Sequence, residues 1–329
     1  MNGGTAKPVT LGTKLIGFAL IVAAIVLACS VPYMPNYYVR VLDSILIYIL
    51  LGLGLNIVIG YAGLLDLGFV AFYAIGAYTY ALLASPQMGI HLPFLVILPI
   101  ACVLGVLAGI LLGIPVLRLR GDYLAIVTLG FGEIIRVLIN NADALTNGPK
   151  GIAAIHRIDI FGLTISTPKD VFWLLLVTCI LVAIIVWRLQ NSILGKAWMA
   201  IREDQDAAKG IGINTTNAKL AAFGISAMIG SIAGVIFSAF QRFVSPESFT
   251  FQESVLIVLI IVIGGIGNIL GVIAGATMLI LLPELLRDYA EFRMLLLGLL
   301  MAFLIIVRPH GLVPRSFTPD RLFAWMRFR

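Results

Sequence analysis

Ten apolar runs, separated by a few polar or proline-bearing positions, account for most of this chain. They fall near 11–30, 41–60, 64–84, 93–113, 122–140, 171–189, 218–241, 252–266, 268–283 and 292–308. A helix needs about 20 mostly apolar residues to cross a bilayer core, and most of these runs approach that length. Pro32, Pro35, Pro93, Pro115, Pro168 and Pro283 punctuate the run ends, where a missing N–H is tolerated. The pattern predicts an all-α polytopic membrane protein with about 8–10 transmembrane helices. Residues 1–10 form an N-terminal tail, 11–310 the membrane domain and 311–329 a basic C-terminal tail. The stretch 252–283 reads two ways: Gly264-Gly265-Ile266-Gly267-Asn268 interrupts a run too long for one helix. It predicts either a pair of short spans or a re-entrant hairpin, and in both the chain turns back.

Composition agrees with the pattern. Hydrophobic residues make up 61% of the chain and charged residues 12%, about half the charged share of a soluble domain. The net charge of +6 does not point to nucleic acid, because the basic residues are scattered over short loops and form no patch. Cys29, Cys102 and Cys179 lie inside apolar runs without CxxC spacing and read as small buried residues. His91, His156 and His310 are far apart in sequence and predict no metal site. Lys7 and Lys14 before the first run resemble a signal peptide, but Cys29-Ser-Val-Pro32 offers no small-residue cleavage site. That run is expected to stay as a first helix.

Charge sets the expected orientation. With a cytoplasmic N-terminus and a 252–283 segment that returns to the side it left, fourteen of the 22 Lys and Arg face the cytoplasm. That is the excess the positive-inside rule requires, and it places both termini and residues 190–219 on the cytoplasmic side.

Residues 190–219 form a polar island between the apolar runs Val171–Trp187 and Leu220–Phe240. From Gly195 to Lys209 the residues favour helix, with a capped end expected at Gly210 or Gly212. Trp198, Ile201 and Ala208 fall near one face, and Arg202 and Asp206 sit four apart on another, where they can pair. Such a helix is either a solvated linker or a docking element, and an apolar Trp198 beside a polar face favours docking.

Within the spans, Gly105, Gly109 and Gly113 repeat every four positions, as do Gly267, Gly271 and Gly275. Lipid offers no hydrophobic drive between helices, so glycine faces that permit close approach hold a bundle together. Gly52-Leu-Gly54 and Gly60-Tyr61-Ala-Gly63 flank Asn56 and Asp66 and mark a broken helix whose backbone can line a polar path. Ionisable groups in spans are costly and tend to be functional. Asp66 is either a helix cap or a pathway residue. Glu133 and Arg136 lie three apart on one helical face, as a mutually neutralising pair or as part of a path. Asn56, Tyr61, Gly63, Asp66, Glu133 and Arg136 are therefore the candidate path residues. No Ser-His-Asp set, HExxH or phosphate loop is present; Ile193-Leu-Gly-Lys196 lacks the upstream glycine and the hydroxyl residue. The chain is not read as an enzyme, no cofactor is implied, and any ATP-driven step needs another polypeptide.

Several stretches carry a family resemblance. Asp206-Ala207-Ala208, then three residues and Gly212, is similar to the EAA---G pattern of ABC-importer membrane subunits, with Asp for the usual Glu. Leu119-Arg-Gly-Asp-Tyr-Leu-Ala-Ile-Val-Thr-Leu-Gly-Phe-Gly-Glu133 resembles the signature of LivM-type branched-chain amino acid permeases. So do Gly60-Tyr-Ala-Gly-Leu-Leu-Asp-Leu-Gly68, Ile75-Gly-Ala-Tyr78, Ala200-Ile-Arg-Glu-Asp204 and Phe243-Val-Ser-Pro-Glu-Ser-Phe249. Gly264-Gly-Ile-Gly267 and Arg308-Pro-His-Gly-Leu312 complete a set covering roughly residues 40–312.

The resemblance implies a type II-like ABC importer in a bacterial inner membrane. Its expected partners are two ATP-binding subunits, a second homologous permease, an extracytoplasmic substrate-binding protein and the lipid bilayer. Residues 195–212 would be the coupling helix, with Arg202, Glu203, Asp204, Asp206, Ala207, Ala208 and Gly212 contacting the ATPase and Trp198 and Ile201 as its apolar anchor. The expected cargo is a branched-chain amino acid. Related permeases carry urea, amides or aromatic acids on similar frames, and an ion-coupled secondary transporter is the rival outside the class.

Overall fold

A computed structural model describes residues 30–86, 89, 91–117, 119, 121–160, 163–287, 293–308 and 311–313. The predicted first span 11–30, the N-terminal tail and most of the basic tail lie outside the described residues. In lipid no water satisfies an open backbone group, so each apolar run closes its own hydrogen-bond ladder as a helix.

The central element is α1, Asn36–Leu55, which continues into a π-helical turn at Asn56–Tyr61. This 26-residue span is 83% buried in its most apolar window. Around it stand α2 (Val70–Ala84), α3 (Phe94–Val116), α4 (Asp122–Asn141) and α5 (Pro168–Gln190). The polar island folds as α6 (Ile193–Glu203) and α7 (Gln205–Gly210). Then come α8 (Thr215–Gln241), α9 (Phe251–Gly264), α10 (Ile269–Leu285) and α11 (Arg293–Val307). Among the described residues five spans are long and apolar enough to cross a membrane: Asn36–Tyr61, Phe94–Val116, Pro168–Gln190, Thr215–Gln241 and Pro246–Gly264. The all-α polytopic architecture is as expected, but the run predicted at 64–84 becomes helical only at Val70.

Glycine faces bring α8 against α2 and α3. A methyl group on Gly109 would stand 2.6 Å from the carbonyl oxygen of Phe223, and one on Gly113 2.7 Å from Leu220. Gly76 lies against the Ser231 backbone and Gly234 against that of Tyr73. At this distance, short hydroxyls reach backbone on the neighbouring helix: Ser231 Oγ donates to Phe72 O (3.1 Å) and Ser226 Oγ to Gly54 O (2.7 Å). Hydrogen bonding and close packing thus replace a hydrophobic drive that lipid cannot supply.

The ambiguous stretch is a helical hairpin. At about 1.5 Å per residue, α9 is about 21 Å long, short of a 30 Å core. A 3₁₀ turn at Pro246–Phe249 extends it. Its tip turns at Gly265 (φ 126°) and Gly267 (φ 84°), angles that a side chain would strain. Gly271 and Gly275 let α10 pack back onto Gly264 and Ile260 of α9. Leu312 N and Val313 N donate to Ile263 O (2.7 Å) and Gly264 O (3.0 Å), so the chain after α11 is tied to the hairpin tip.

The opposite end carries a small cap that no hydropathy pattern predicts. Strand β1 (Ile152–Ala153) pairs with β4 (Phe243–Val244), and β2 (Ile158–Ile160) with β3 (Leu163–Ile165), both antiparallel. The cap also brings His91 against His156, with ring centroids 4.6 Å apart. Sequence separation gave no sign of that contact.

Gly234→Leu should overpack the α2–α8 contact, at a cost of about 1–3 kcal/mol or more. Gly130→Ala, on α4 with nothing within 4 Å of the added methyl, should be neutral or stabilising by up to about 1 kcal/mol. Thermal unfolding of the two variants in detergent, followed by size-exclusion recovery, checks the contrast.

Candidate functional site

The polar island is an elbow of two helices, not the single helix expected over 195–212. Asp204 breaks it, with φ −155° and ψ 116°. Its Oδ1 accepts from the N–H groups of Asp206 (2.8 Å) and Ala207 (3.0 Å) and starts α7 as an N-cap. The chemistry was visible in Glu203-Asp204-Gln205-Asp206, because a short acidic side chain competes with the helix ladder for backbone donors. The break also places Arg202 on α6 and Asp206 on α7, so they are not neighbours on one continuous helix.

The apolar face of the elbow turns inward. Trp198 is 0% exposed, Ile201 5% and Ala208 2%. Trp198 Nε1 donates to Ala218 O at 2.6 Å, in the first turn of α8. Trp198 and Ile201 therefore anchor the elbow to its own bundle and do not form the outward anchor expected from the sequence. The outer surface carries exposed Glu203, Asp204 and Asp206 together with Lys196 and Lys209, beside Ala207, Gly212 and apolar Ile193, Met199 and Ile211. Gly212 holds φ 88° with nothing within 4 Å of an added Cβ.

The elbow meets the bundle where α1 unwinds. Arg202 Nη1 donates to Gly60 O, and the Arg202 stem packs beside Gly63, whose φ is 70°. Asn56, fully buried, accepts from Gly267 N at 2.9 Å through Oδ1, and Gly60 lies between Asn56 and Gly267. Tyr61 OH donates to Gln190 Oε1 at 3.3 Å. The π-helical turn thus joins three parts: the hairpin tip through Asn56, the end of α5 through Tyr61, and the elbow through Gly60. π-turns are frequent at functional sites. Here the turn sets a mechanical junction, so Asn56 and Tyr61 are structural links in this conformation.

Asp66 is a cap. It is fully buried, and its Oδ1 accepts from Gly68 N at 2.9 Å. Thr128 Oγ1 of α4 takes the N–H of Leu67 (3.0 Å), and Ser254 Oγ of α9 takes that of Val70 (3.3 Å). Of these donors only Val70 N belongs to α2; Asp66 and Thr128 hold the buried loop that leads into it. Glu133 and Arg136 pair with each other (2.8 Å), each about one-third exposed, on a helix whose Ile126, Ile134 and Val137 are also exposed.

One residue was missed. Glu253 Oε2 accepts from Tyr48 OH at 2.6 Å. Tyr48 is the thirteenth residue of the 26-residue span Asn36–Tyr61, which puts this carboxylate near mid-span. Glu253 stands three after Thr250, the spacing of a capping box, yet Thr250 makes no side-chain cap and the carboxylate turns to Tyr48. Among the described residues no cation pairs with it. The signal was a lone carboxylate at the start of the run 252–266; its partner, 205 positions away, was not legible.

A polytopic helical bundle with a helical elbow locked to its central span is the architecture of a multi-pass membrane protein. The chain belongs to the family described as the permease component of the branched-chain amino acid transport system, which matches residues 37–307. It is 47% identical over 320 residues to the high-affinity branched-chain amino acid transport system permease protein LivM of Escherichia coli K12, covering 90% of this chain and 75% of that one. It is 25% identical to LivH of the same organism, over 82% of this chain and 91% of LivH. It is 26% identical to the autoinducer 2 import system permease protein LsrC of an Escherichia coli O9:H4 strain, over 64% and 63% of the two chains. No solved structure matches this chain.

Arg202→Ala would leave the Gly60 carbonyl without its charged donor, a loss of about 1.5–3 kcal/mol. Glu203→Ala, on the exposed side, should stay within about 0.5 kcal/mol of the parent. Melting midpoints in detergent separate the two.

Proposed function

We propose that this chain is the permease subunit of an ATP-driven importer of branched-chain amino acids in a bacterial inner membrane. Two ATP-binding subunits power it, a second homologous permease completes the path, and an extracytoplasmic binding protein delivers cargo. The observation that carries the reading is the 47% identity over 90% of the chain to a LivM protein, against 26% for the autoinducer permease. The elbow supports it, because its outer surface carries charges of both signs, Glu203, Asp204 and Asp206 with Lys196 and Lys209, while its inner face is fixed to two spans.

The elbow faces the cytoplasm and seats on an ATP-binding subunit. When that subunit moves, Trp198 carries the start of α8 through Ala218, and Arg202 carries the end of α1 through Gly60. Both helices run through the bundle core, so a shift at the elbow reaches mid-membrane without an intervening loop. There Glu253 offers a carboxylate to the ammonium group of the cargo. An uncompensated carboxylate in a span is costly, and its retention fits a role with a cationic group that comes and goes.

The reading is tested by reconstituting the permease with its partner subunits and measuring ATP-dependent leucine, isoleucine and valine uptake. Uptake by this chain alone, driven by an ion gradient, would overturn it. Asp206→Lys reverses charge on the outer elbow, and Gly212→Val strains a left-handed position by about 1–2 kcal/mol. Each should reduce uptake by at least about tenfold while leaving membrane insertion intact. Glu253→Gln should lower uptake to a similar extent with ATP hydrolysis retained, and Tyr48→Phe, which leaves the carboxylate in place, should lower it less.

A further inference from the structure

Polar groups at mid-membrane depth set one outer face of the bundle apart from the others. α4 has 20 residues, about 30 Å at 1.5 Å per residue, which is the thickness of a bilayer core. Glu133 is the twelfth of them, so its carboxylate stands near the middle of the core. One face of the helix is fixed to its own bundle: Leu124, Ala125, Thr128 and Gly132 are buried, and Gly132 packs on Gly68. The opposite face is open. Ile126, Gly130, Glu133 and Val137 follow at helical spacing and form one stripe. Ile126 and Val137 are exposed, and Gly130 has nothing within 4 Å of an added methyl. Glu133 and Arg136 are each about one-third exposed. The outer faces of α3 and α5 differ in kind. Their exposed mid-span positions are aliphatic, with Val103, Leu107 and Leu111 on α3 and Val177, Leu181 and Ile184 on α5. Lipid suits those two faces. Ionisable groups in a span turn instead to protein or to a water-filled cavity, yet about a third of this pair is left outside its own bundle.

We propose that the α4 stripe is the seam with the second, homologous permease, which covers Glu133 and Arg136 in the assembled importer. The seam rests on the assembly proposed above and names the surface through which it forms. Three observations favour a homologous membrane subunit as the occupant. The stripe lies at hydrocarbon depth, where a soluble subunit does not reach. Gly130 leaves room for a neighbouring helix to approach closely, the packing that joins spans in lipid. Related subunits that meet around a two-fold axis set like surface against like. A lone carboxylate on such a seam would face its own charge, whereas Glu133 and Arg136 bond at 2.8 Å into a neutral pair. The seam also borders the proposed path. The turn Pro246–Phe249 packs against α4, and half-buried Glu253 follows it at the start of α9. Cargo offered to Glu253 therefore passes along the boundary between the two permeases and not through the core of this one.

The test uses the complete importer in its native membrane. The photo-crosslinker p-benzoylphenylalanine replaces Ile126 or Val137 on the stripe, and Leu107 or Leu181 on the aliphatic faces as controls. After irradiation the crosslinked products are identified by mass spectrometry. The stripe positions are expected to capture the second permease, and the controls to capture lipid. Gly130→Trp gives an independent reading. Its side chain meets nothing in its own chain, so the melting midpoint of the isolated chain should hold. Recovery of the second permease with the affinity-purified importer should fall about tenfold, as overpacking of a close contact requires. If Gly130→Trp does not insert, the crosslinks decide alone. Capture of lipid alone from the stripe, equal capture of the second permease from α3 or α5, or capture of a second copy of this chain in its place would each overturn the seam. So would undiminished recovery of the second permease with Gly130→Trp. An active importer whose two permeases join elsewhere loses only this seam, whereas an active complex without a second permease removes the assembly itself.

Discussion

A backbone carbonyl that leaves its helix ladder inside a membrane protein must find another donor, because no water is there to supply one. At the end of α1 the i→i+5 turn of Asn56–Tyr61 creates this situation, and Arg202 answers it by donating to Gly60 O. The rest of the inner half is arranged around that bond. Gly63 must be a glycine because the Arg202 stem occupies the space of a side chain. Gly60 must be one because Asn56 and the hairpin tip at Gly267 close on it from two directions. Breaking the helix is thus a means of joining elements: the freed backbone group ties a surface helix to the most buried span.

The broken start of α2 follows the same rule with a different outcome. Ser254 of α9 takes the Val70 N–H, and Asp66 and Thr128 of α4 take the two loop N–H groups just before it. A helix end occupied in this way does not offer its dipole to a passing solute. The start of α4 behind Gly121 has no side-chain cap, and Asp122 in its first turn answers the partial positive charge of that end.

The apolar runs, the glycine repeats and the turn at Gly264-Gly265-Ile266-Gly267-Asn268 were legible in the sequence, because each follows from local chemistry: hydropathy, backbone approach and positive φ. The polar island was legible as a helical element, but not its elbow, because helix propensity summed over 195–209 hid the local capping preference of Asp204. Trp198 was legible as amphipathic, but not its direction. An apolar face on a membrane-side helix can turn to its own bundle or to a partner, and only the bond to Ala218 O decides that. Contacts between distant positions, Tyr48 with Glu253 or His91 with His156, depend on how the spans are arranged, which no single run encodes.

Glu133 and Glu253 show why the second matters more for a path. Glu133 has a guanidinium at 2.8 Å on its own helix, so its charge is answered before any solute arrives. Glu253 has a phenol, which donates one hydrogen bond and no charge. Glu253 sits in the first turn of α9, the end of a helix that carries partial positive charge. A site that must release its cargo needs such incomplete compensation. A full salt bridge would exclude an incoming ammonium, whereas a phenol that donates one hydrogen bond leaves the charge of the carboxylate to be answered.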